Sequence, residues 1–378
     1  MKRYYVLLAS SIYIYASLAS IEVHAAEKDP QSNEKTRSKN TQLLTLDDAE
    51  KKYPKYLWSV FRTLALSKWG SKDVKNSRAE ILKGGFSSDA VFKVKIASKD
   101  YVLRFIGKEK PIKDRQNFIE ASRWAGDHDF APKVLLNDSN HLLILMGFIQ
   151  GRTLTLEDTQ NEKIIKEVAV TLSKIHKAPQ PSLDLKHMSQ FTIGLDWYDK
   201  VRDSKRPFGP LVLKEAYKRW QILNEQVNLQ ATRKVVLHND PNLRNIMLSD
   251  GKVIFVDWEL AGVEDPRKEL AHVCAWMGLN ANLTEVFLSA YYGRKPSSEE
   301  LVLMKNLRKM IHLEFAWVGL STVRENEFDQ KTWDQLYETT VPRTVEYLSI
   351  TQMNSERKPS ESDLINLYLG LLKQFMQN

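Results

Sequence analysis

Glycine is scarce in this chain, 15 of 378 residues where a globular protein averages about 7%. That excludes collagen-like and glycine-rich linker architectures, and it gives weight to the one adjacent pair, Gly84-Gly85. Cysteine is nearly absent. The single Cys274 cannot close an intramolecular disulfide, so no disulfide scaffold is available, and its apolar setting in Leu270–Leu279 reads as a buried structural thiol. There is no internal repeat, no arginine-rich stripe, no RNP-like motif and no zinc-finger spacing, which argues against nucleic acid as partner. The charge balance is nevertheless positive, 55 − 47 = +8, and suits a phosphate-bearing ligand together with ordinary solvated lysines. With 43% hydrophobic and 27% charged residues, the chain is long enough for one large or two modest domains with real cores.

The N-terminus stands apart. Lys2 and Arg3 precede the apolar stretch Tyr4–Ile21, and Val23-His24-Ala25 before Ala26 resembles a signal-peptidase site. The stretch is long for a signal segment and close to the length of a membrane span. Residues 1–25 are therefore a signal peptide, an anchor through residues 4–21, or a segment upstream of the true start, and localisation stays open among these. Residues 26–44 are polar, free of aromatics and read as a disordered linker.

Beyond it, Leu46–Trp69 has helical spacing broken at Pro54. Asp89–Ile96 and Asp100–Ile106 read as a hairpin, 113–125 as a helix, and Ala131–Leu136 and Leu142–Ile149 as two further strands. From 150 the pattern is mostly helical, except for three short apolar runs at Val235–Leu237, Ile246–Leu248 and Val253–Val256. The expectation is an α+β chain with a small antiparallel-sheet lobe over 45–149 and a larger, mainly helical lobe over 150–378.

The strongest chemical signal is Val236-Leu-His238-Asn-Asp240-Pro-Asn-Leu-Arg-Asn245-Ile-Met-Leu, an H-x-D-x-x-x-x-N skeleton between two apolar runs. The strand after it ends in Asp257-Trp-Glu259. Phosphoryl transfer needs a carboxylate to take the proton of an attacking hydroxyl, and oxygen ligands to hold Mg²⁺ on nucleotide phosphates. Asp240 suits the first task, Asn245 and Asp257 the second. His238 reads as a buried organiser of the catalytic loop rather than as a proton carrier.

These segments resemble the catalytic and metal loops of the choline/ethanolamine kinase and aminoglycoside phosphotransferase superfamily, over roughly residues 76 to 350. The resemblance implies a two-lobed protein-kinase-like fold using ATP and Mg²⁺, with Asp240 as base and Asn245 and Asp257 as metal ligands. It also implies phosphate contacts at Gly84, Gly85, Ser87 and Ser88, placed just before the first strand of the hairpin. Arg104 in Tyr101-Val-Leu-Arg104 is similar to the V-L-x-R strand of choline and ethanolamine kinases and would meet the α/β-phosphates. Glu120 would hold that cation, and Met146 and Phe148 would form the adenine hinge. The motif Gly-Val-Glu-Asp265-Pro-Arg-Lys-Glu269-Leu-Ala resembles the family's G-x-x-D-P-x-x-D-L-A, with Glu269 where Asp is common and no role assigned to it.

For the acceptor, the likeness points to a small cationic alcohol, choline or ethanolamine first, with Glu259 and the rings of Trp258, Trp276, Phe315 and Trp317 as candidates to hold it, each ring having core packing as its alternative reading. Asp257-Trp-Glu259 and the N-D-P-N-L-R-N-I-M loop are also similar to bacterial thiamine kinases, and an aminoglycoside 3'-type phosphotransferase is a third reading. A nucleotide-binding pseudokinase is the non-enzymatic alternative, disfavoured because base and both ligands are present. The absence of D-F-G and A-P-E elements argues against a protein kinase. No protein partner is expected, and ATP chemistry favours the cytoplasm against the leader-like N-terminus.

Overall fold

A computed structural model describes residues 44–52, 55–82, 89–181, 209–228, 233–322, 328–347 and 360–377. The leader-like segment, Pro54, and the expected phosphate loop with Gly84, Gly85, Ser87 and Ser88 lie outside the described residues. Among those described, no helix is long and apolar enough to cross a membrane. The chain divides into two compact units. The smaller runs to Arg115 and adds Val134–Phe148; the larger comprises Gln116–Lys133 and everything from Ile149.

The smaller unit is an antiparallel sheet. Its strands are β1 (Leu44–Thr45), β2 (Arg78–Ile81), β3 (Ala90–Ile96), β4 (Lys99–Phe105), β5 (Val134–Asn137) and β6 (Leu143–Gly147), in the order β1-β2-β3-β4-β6-β5. Both expected strand pairs are present, but the sheet has six strands where the pattern suggested four. Leu44 pairs with Ala79 and Thr45 with Arg78, so the last residue of the expected linker already belongs to the sheet. Both β1 and β2 are too short to show alternation. The third strand starts at Val134 rather than Ala131, because Pro132 has no N–H to give a ladder. Helices α1 (Leu46–Lys52) and α2 (Lys55–Lys75, interrupted at Gly70, φ 81°) cover one face. Trp58 of α2 is buried edge-on against Phe92 at 5.0 Å and Phe105 at 5.1 Å, which anchors the helix to the two central strands.

The larger unit contains most of α3 (Ile112–Asp127), then α4 (Glu162–Lys177), α5 (Val212–Asn228), α6 (Pro266–Trp276), α7 (Ala281–Tyr292), α8 (Ser298–Thr322), α9 (Gln330–Thr339) and α10 (Glu361–Gln377). Local signals set several starts. Asn161, Asp265, Asn280 and Asp329 each cap a helix by accepting a first-turn N–H, and Pro266 opens α6. The core centres on α8, which packs against α5, α6 and α10. A Cβ on Gly319 would come within 2.0 Å of the Tyr368 ring, so glycine is what lets α8 and α10 approach closely.

Five short strands carry the loops of interest: β7 (Arg152–Thr153), β8 (Val235–Leu237), β9 (Ile246–Ser249), β10 (Lys252–Phe255) and β11 (Gly262–Glu264). They form a β10-β9-β7 sheet and a β11-β8 ribbon, all antiparallel. Asp250 (φ 48°) and Gly251 (φ 77°) make the tight turn joining β9 to β10, the conformation that Asp-Gly pairs favour between paired strands.

Candidate active site

The loop between β8 and β9 holds His238, Asp240 and Asn245, and its shape is set by groups that reach it from other elements. His238 is fully buried. Its Nε2 lies 2.8 Å from the Val256 carbonyl, which can only accept, so Nε2 carries the proton and Nδ1 accepts the Asp240 amide at 3.2 Å. Burial pushes its pKa down against the pull of Glu269 and the Val256 carbonyl, keeping the ring neutral, as this bonding requires. The side chain therefore spans from β10 to the Asp240 backbone, an organiser's position.

Asp240 is clasped on both oxygens. Asn242 Nδ2 donates to Oδ1 at 2.9 Å, and Asn245 Nδ2 donates to Oδ2 at 2.8 Å and to the Asp240 carbonyl at 3.1 Å. Asn242 also caps the turn Leu243–Asn245 by accepting the Arg244 amide at 3.0 Å. The Asn245 carbonyl then receives the Val256 N–H at 2.9 Å, tying this loop to the end of β10. Immediately after, Asp257 takes a left-handed conformation (φ 66°, ψ 65°), uncommon for a non-glycine residue and frequent at functional turns. The three oxygen-bearing side chains read from the sequence thus come from two loops that are directly hydrogen-bonded to one another.

Glu269, which had no role in the sequence, is the support beneath them. Its carboxylate is buried on α6, with Oε1 accepting the Asn239 N–H at 2.6 Å and Oε2 meeting His176 Nε2 of α4 at 2.8 Å. His176 Nδ1 in turn meets the Tyr291 hydroxyl of α7 at 2.8 Å. Burial raises the Glu269 pKa, but the His176 and Asn239 hydrogen bonds and neighbouring imidazoles outweigh it and hold it below the ordinary value. Asn239 itself is left-handed (φ 66°), and its side chain donates to the Leu260 carbonyl at 3.0 Å. No motif pointed to His176 or Tyr291. They lie 93 and 115 residues from their partners, Glu269 and His176 respectively, and only the fold brings them there.

The four aromatic residues expected to cage a cation are all buried in the core of the larger unit. Trp258 is buried and packs edge-on to His238 at 4.9 Å and Trp124 at 5.8 Å, so it belongs to the core beneath the loop 238–245. Trp276 meets Phe315 at 5.4 Å, whereas Trp317, fully buried, meets Trp220 at 5.5 Å and Tyr217 at 6.2 Å. Glu259 lies half-buried in the short turn Trp258–Leu260. Glu314, half-buried on α8, lies 3.4 Å from Trp220 Nε1, and burial raises its pKa while lowering that of Lys268 nearby.

In the smaller unit Arg104 is buried on β4, and its Nε donates to Asp89 Oδ2 at 2.7 Å. Lys110 Nζ shares that oxygen at 3.0 Å, and the Gly107 N–H reaches Oδ1 at 2.9 Å. Burial would raise Asp89, yet Arg104 and Lys110 keep its carboxyl below the usual range. Asp89 and Lys110 were not among the residues singled out in the sequence, although Asp89 directly follows the serines of the expected phosphate loop. Met146 stands on β6 opposite Val102, and Phe148 closes the unit, with Lys93 Nζ 4.3 Å from its ring centre. Glu120 is on α3, in the larger unit. Cys274 is buried, and burial pushes its thiol up to about 12, in keeping with an inert structural residue.

Comparison with known proteins adds family context. The model of the phosphotransferase enzyme family (APH) matches residues 78–301, more than half the chain. The chain is 28% identical over 163 residues to the Protein LicA homolog of Metamycoplasma hominis, covering 43% of this chain and 61% of that protein. It is 26% identical over 206 residues to the probable ethanolamine kinase of Arabidopsis thaliana, covering 50% and 54%. The chain thus spans under two thirds of the length of these curated relatives. Among solved structures, a choline/ethanolamine kinase family protein from Mesorhizobium loti superposes with a TM-score of 0.59 at 18% identity, covering 86% of this chain and all of the other. That likeness concerns the fold, a sheet unit and a mainly helical unit of the protein-kinase-like kind.

Proposed function

This chain belongs to the phosphotransferase enzyme family, and we propose that it transfers the γ-phosphoryl group of ATP to the hydroxyl of a small cationic alcohol, choline or ethanolamine first. The observation that carries this reading is the clasped Asp240 carboxylate, held on both oxygens by Asn242 and Asn245 in a loop bonded to the one bearing Asp257.

Asp240 takes the proton of the substrate hydroxyl as its oxygen bonds to the γ-phosphorus; the bond to the bridging oxygen breaks and ADP departs. Most of the rate gain comes from orientation and charge stabilisation. Asn245 and Asp257 fit a Mg²⁺ site: with the Asn245 amide nitrogen committed to Asp240, its oxygen remains to ligate, and Asp257 adds a carboxylate. Among the described residues no cluster of three or more His, Cys, Asp or Glu could hold a metal, and Mg²⁺ typically takes one or two protein oxygens beside phosphate and water. When bound, the ion neutralises charge on the phosphates. Arg104 is the candidate cation for the α/β-phosphates, oriented by Asp89, with Lys110 in support. Gly84, Gly85, Ser87 and Ser88 are the proposed phosphate loop, and Glu120, Met146 and Phe148 complete the proposed nucleotide contacts.

Choline and ethanolamine lead because of the company the chain keeps. The Asp257-Trp-Glu259 likeness to thiamine kinases loses force, since Trp258 is a core residue whose identity packing explains. The full chain should be assayed for ATP consumption with Mg²⁺ against choline, ethanolamine, thiamine and kanamycin in parallel. Turnover with choline or ethanolamine, abolished in Asp240→Ala, is the expected result. Turnover only with thiamine or kanamycin would reassign the acceptor, and activity unchanged in Asp240→Ala would remove the base.

A further inference from the structure

The larger unit holds a cavity of about 680 Å³ to which the loops 238–257 contribute nothing. Its volume is that of an ordinary small-molecule site. Leu279, Met304 and Phe375, all buried, supply apolar wall. The polar features of the cavity are asymmetric. His312, on α8, lines it while being only 8% exposed. Its Nδ1 lies 2.6 Å from the Arg308 carbonyl, so Nδ1 carries the proton and Nε2 presents a bare acceptor. Among the described residues no hydrogen-bond donor reaches that Nε2, an arrangement a buried polar atom rarely keeps. Burial lowers the ring's pKa to about 4, which keeps it neutral and accepting.

On the same helix face Lys305 and Lys309 stand one turn apart and give that side of the cavity a positive character. Burial, and then Lys305, push the Lys309 pKa down. Two acids also line the cavity. Glu285 pairs with Lys295 at 3.1 Å. Glu346 lies against Gly278, where a Cβ would come within 2.1 Å of its carboxylate, and Arg308 opposes the upward push of burial on it. Arg308 also donates to the Leu279 carbonyl at 2.7 Å, closing the wall.

We propose that this cavity is a second ligand site, separate from the catalytic loop, for a small amphipathic anion that carries an N–H or O–H donor. Its apolar body lies on Leu279, Met304 and Phe375, its donor meets His312 Nε2, and its negative group sits between Lys305 and Lys309. The inference is independent of the acceptor alcohol and of the kinase reading.

Anilinonaphthalene sulfonate has all three features and serves as the probe; the uncharged phenylnaphthylamine lacks only the anion. With the full chain, the sulfonate is expected to bind at one equivalent with a fluorescence rise that saturating ADP and Mg²⁺ leave intact. The double variant Lys305→Glu/Lys309→Glu, on a partly exposed face, should weaken it about tenfold. His312→Phe keeps the ring volume and should also weaken it; if that variant loses its far-ultraviolet circular dichroism, the lysine pair alone decides. Absence of binding, displacement by ADP, indifference to the lysine reversal, or equal affinity for the uncharged amine would each overturn the proposal. Loss of kinase activity bears on the earlier reading and leaves this one untouched.

Discussion

Glu269 shows how far the shape of the loop 238–245 depends on one side chain outside it. It accepts the Asn239 N–H and meets His176, so Glu269→Ala strands a half-buried amide and a buried imidazole together. The expected cost is roughly 3 kcal/mol in urea unfolding, from two unsatisfied groups. The turnover number should fall with little change in KM for the alcohol, since the change reaches the site only through the loop backbone. Glu269→Gln keeps an acceptor for Asn239 and should recover most of the stability. Unchanged unfolding midpoint and turnover in the alanine variant would show that the loop holds its shape without it. A second residue-scale case is Asp89→Asn in the smaller unit, which leaves Arg104 and Lys110 facing a neutral amide in a buried setting. Removing one partner of a buried ion pair costs about 3–5 kcal/mol, and KM for ATP should rise while KM for the alcohol holds.

At the scale of elements, the site is assembled by short strands and held by long helices. Strands β8 to β11 are three or four residues each, too short to be stable alone, and their loops gain definition from α6, α4 and α7 through the Glu269–His176–Tyr291 chain. Helix packing can be tested at Gly319, where α8 meets α10. Gly319→Ala places a methyl against the Tyr368 ring and should destabilise by about 1–3 kcal/mol through overpacking, read as a lower urea midpoint. In an ordinary helix the same change would stabilise. The opposite sign here is therefore diagnostic of the contact.

For the whole molecule, the pH dependence of stability follows from histidines kept neutral by burial. His272 and His312 both have folded pKa values lowered to about 4, well below the ordinary 6.5, and His238 is shifted the same way. Between about pH 4 and 6.5 the unfolded chain binds protons that the folded chain does not, so stability is fully present above pH 6.5 and falls as pH drops through that window. Each of the two contributes up to about 3 kcal/mol of this loss. The melting temperature should decline steeply from pH 6.5 to 4, and His272→Gln should flatten the decline. A flat profile across that range would show that these rings titrate normally.

The sequence by itself determined the class of the chain, an α+β protein with a sheet unit and a helical unit, and it singled out Asp240, Asn245 and Asp257 as the residues proposed to carry its chemistry. Those signals are local. Alternation marks β3 and β4, and the H-x-D-x-x-x-x-N spacing followed by an apolar strand is complete within about twenty residues. Only the tertiary structure decided that Glu269, His176 and Tyr291 support the loop 238–245, that Asp89 holds Arg104, and that Trp258 packs against His238. The two bonds of His176 join residues 93 and 115 apart in the chain. A buried aromatic and a ligand-facing one have the same composition and the same helical spacing, so burial alone tells them apart, and burial is a property of the packed chain.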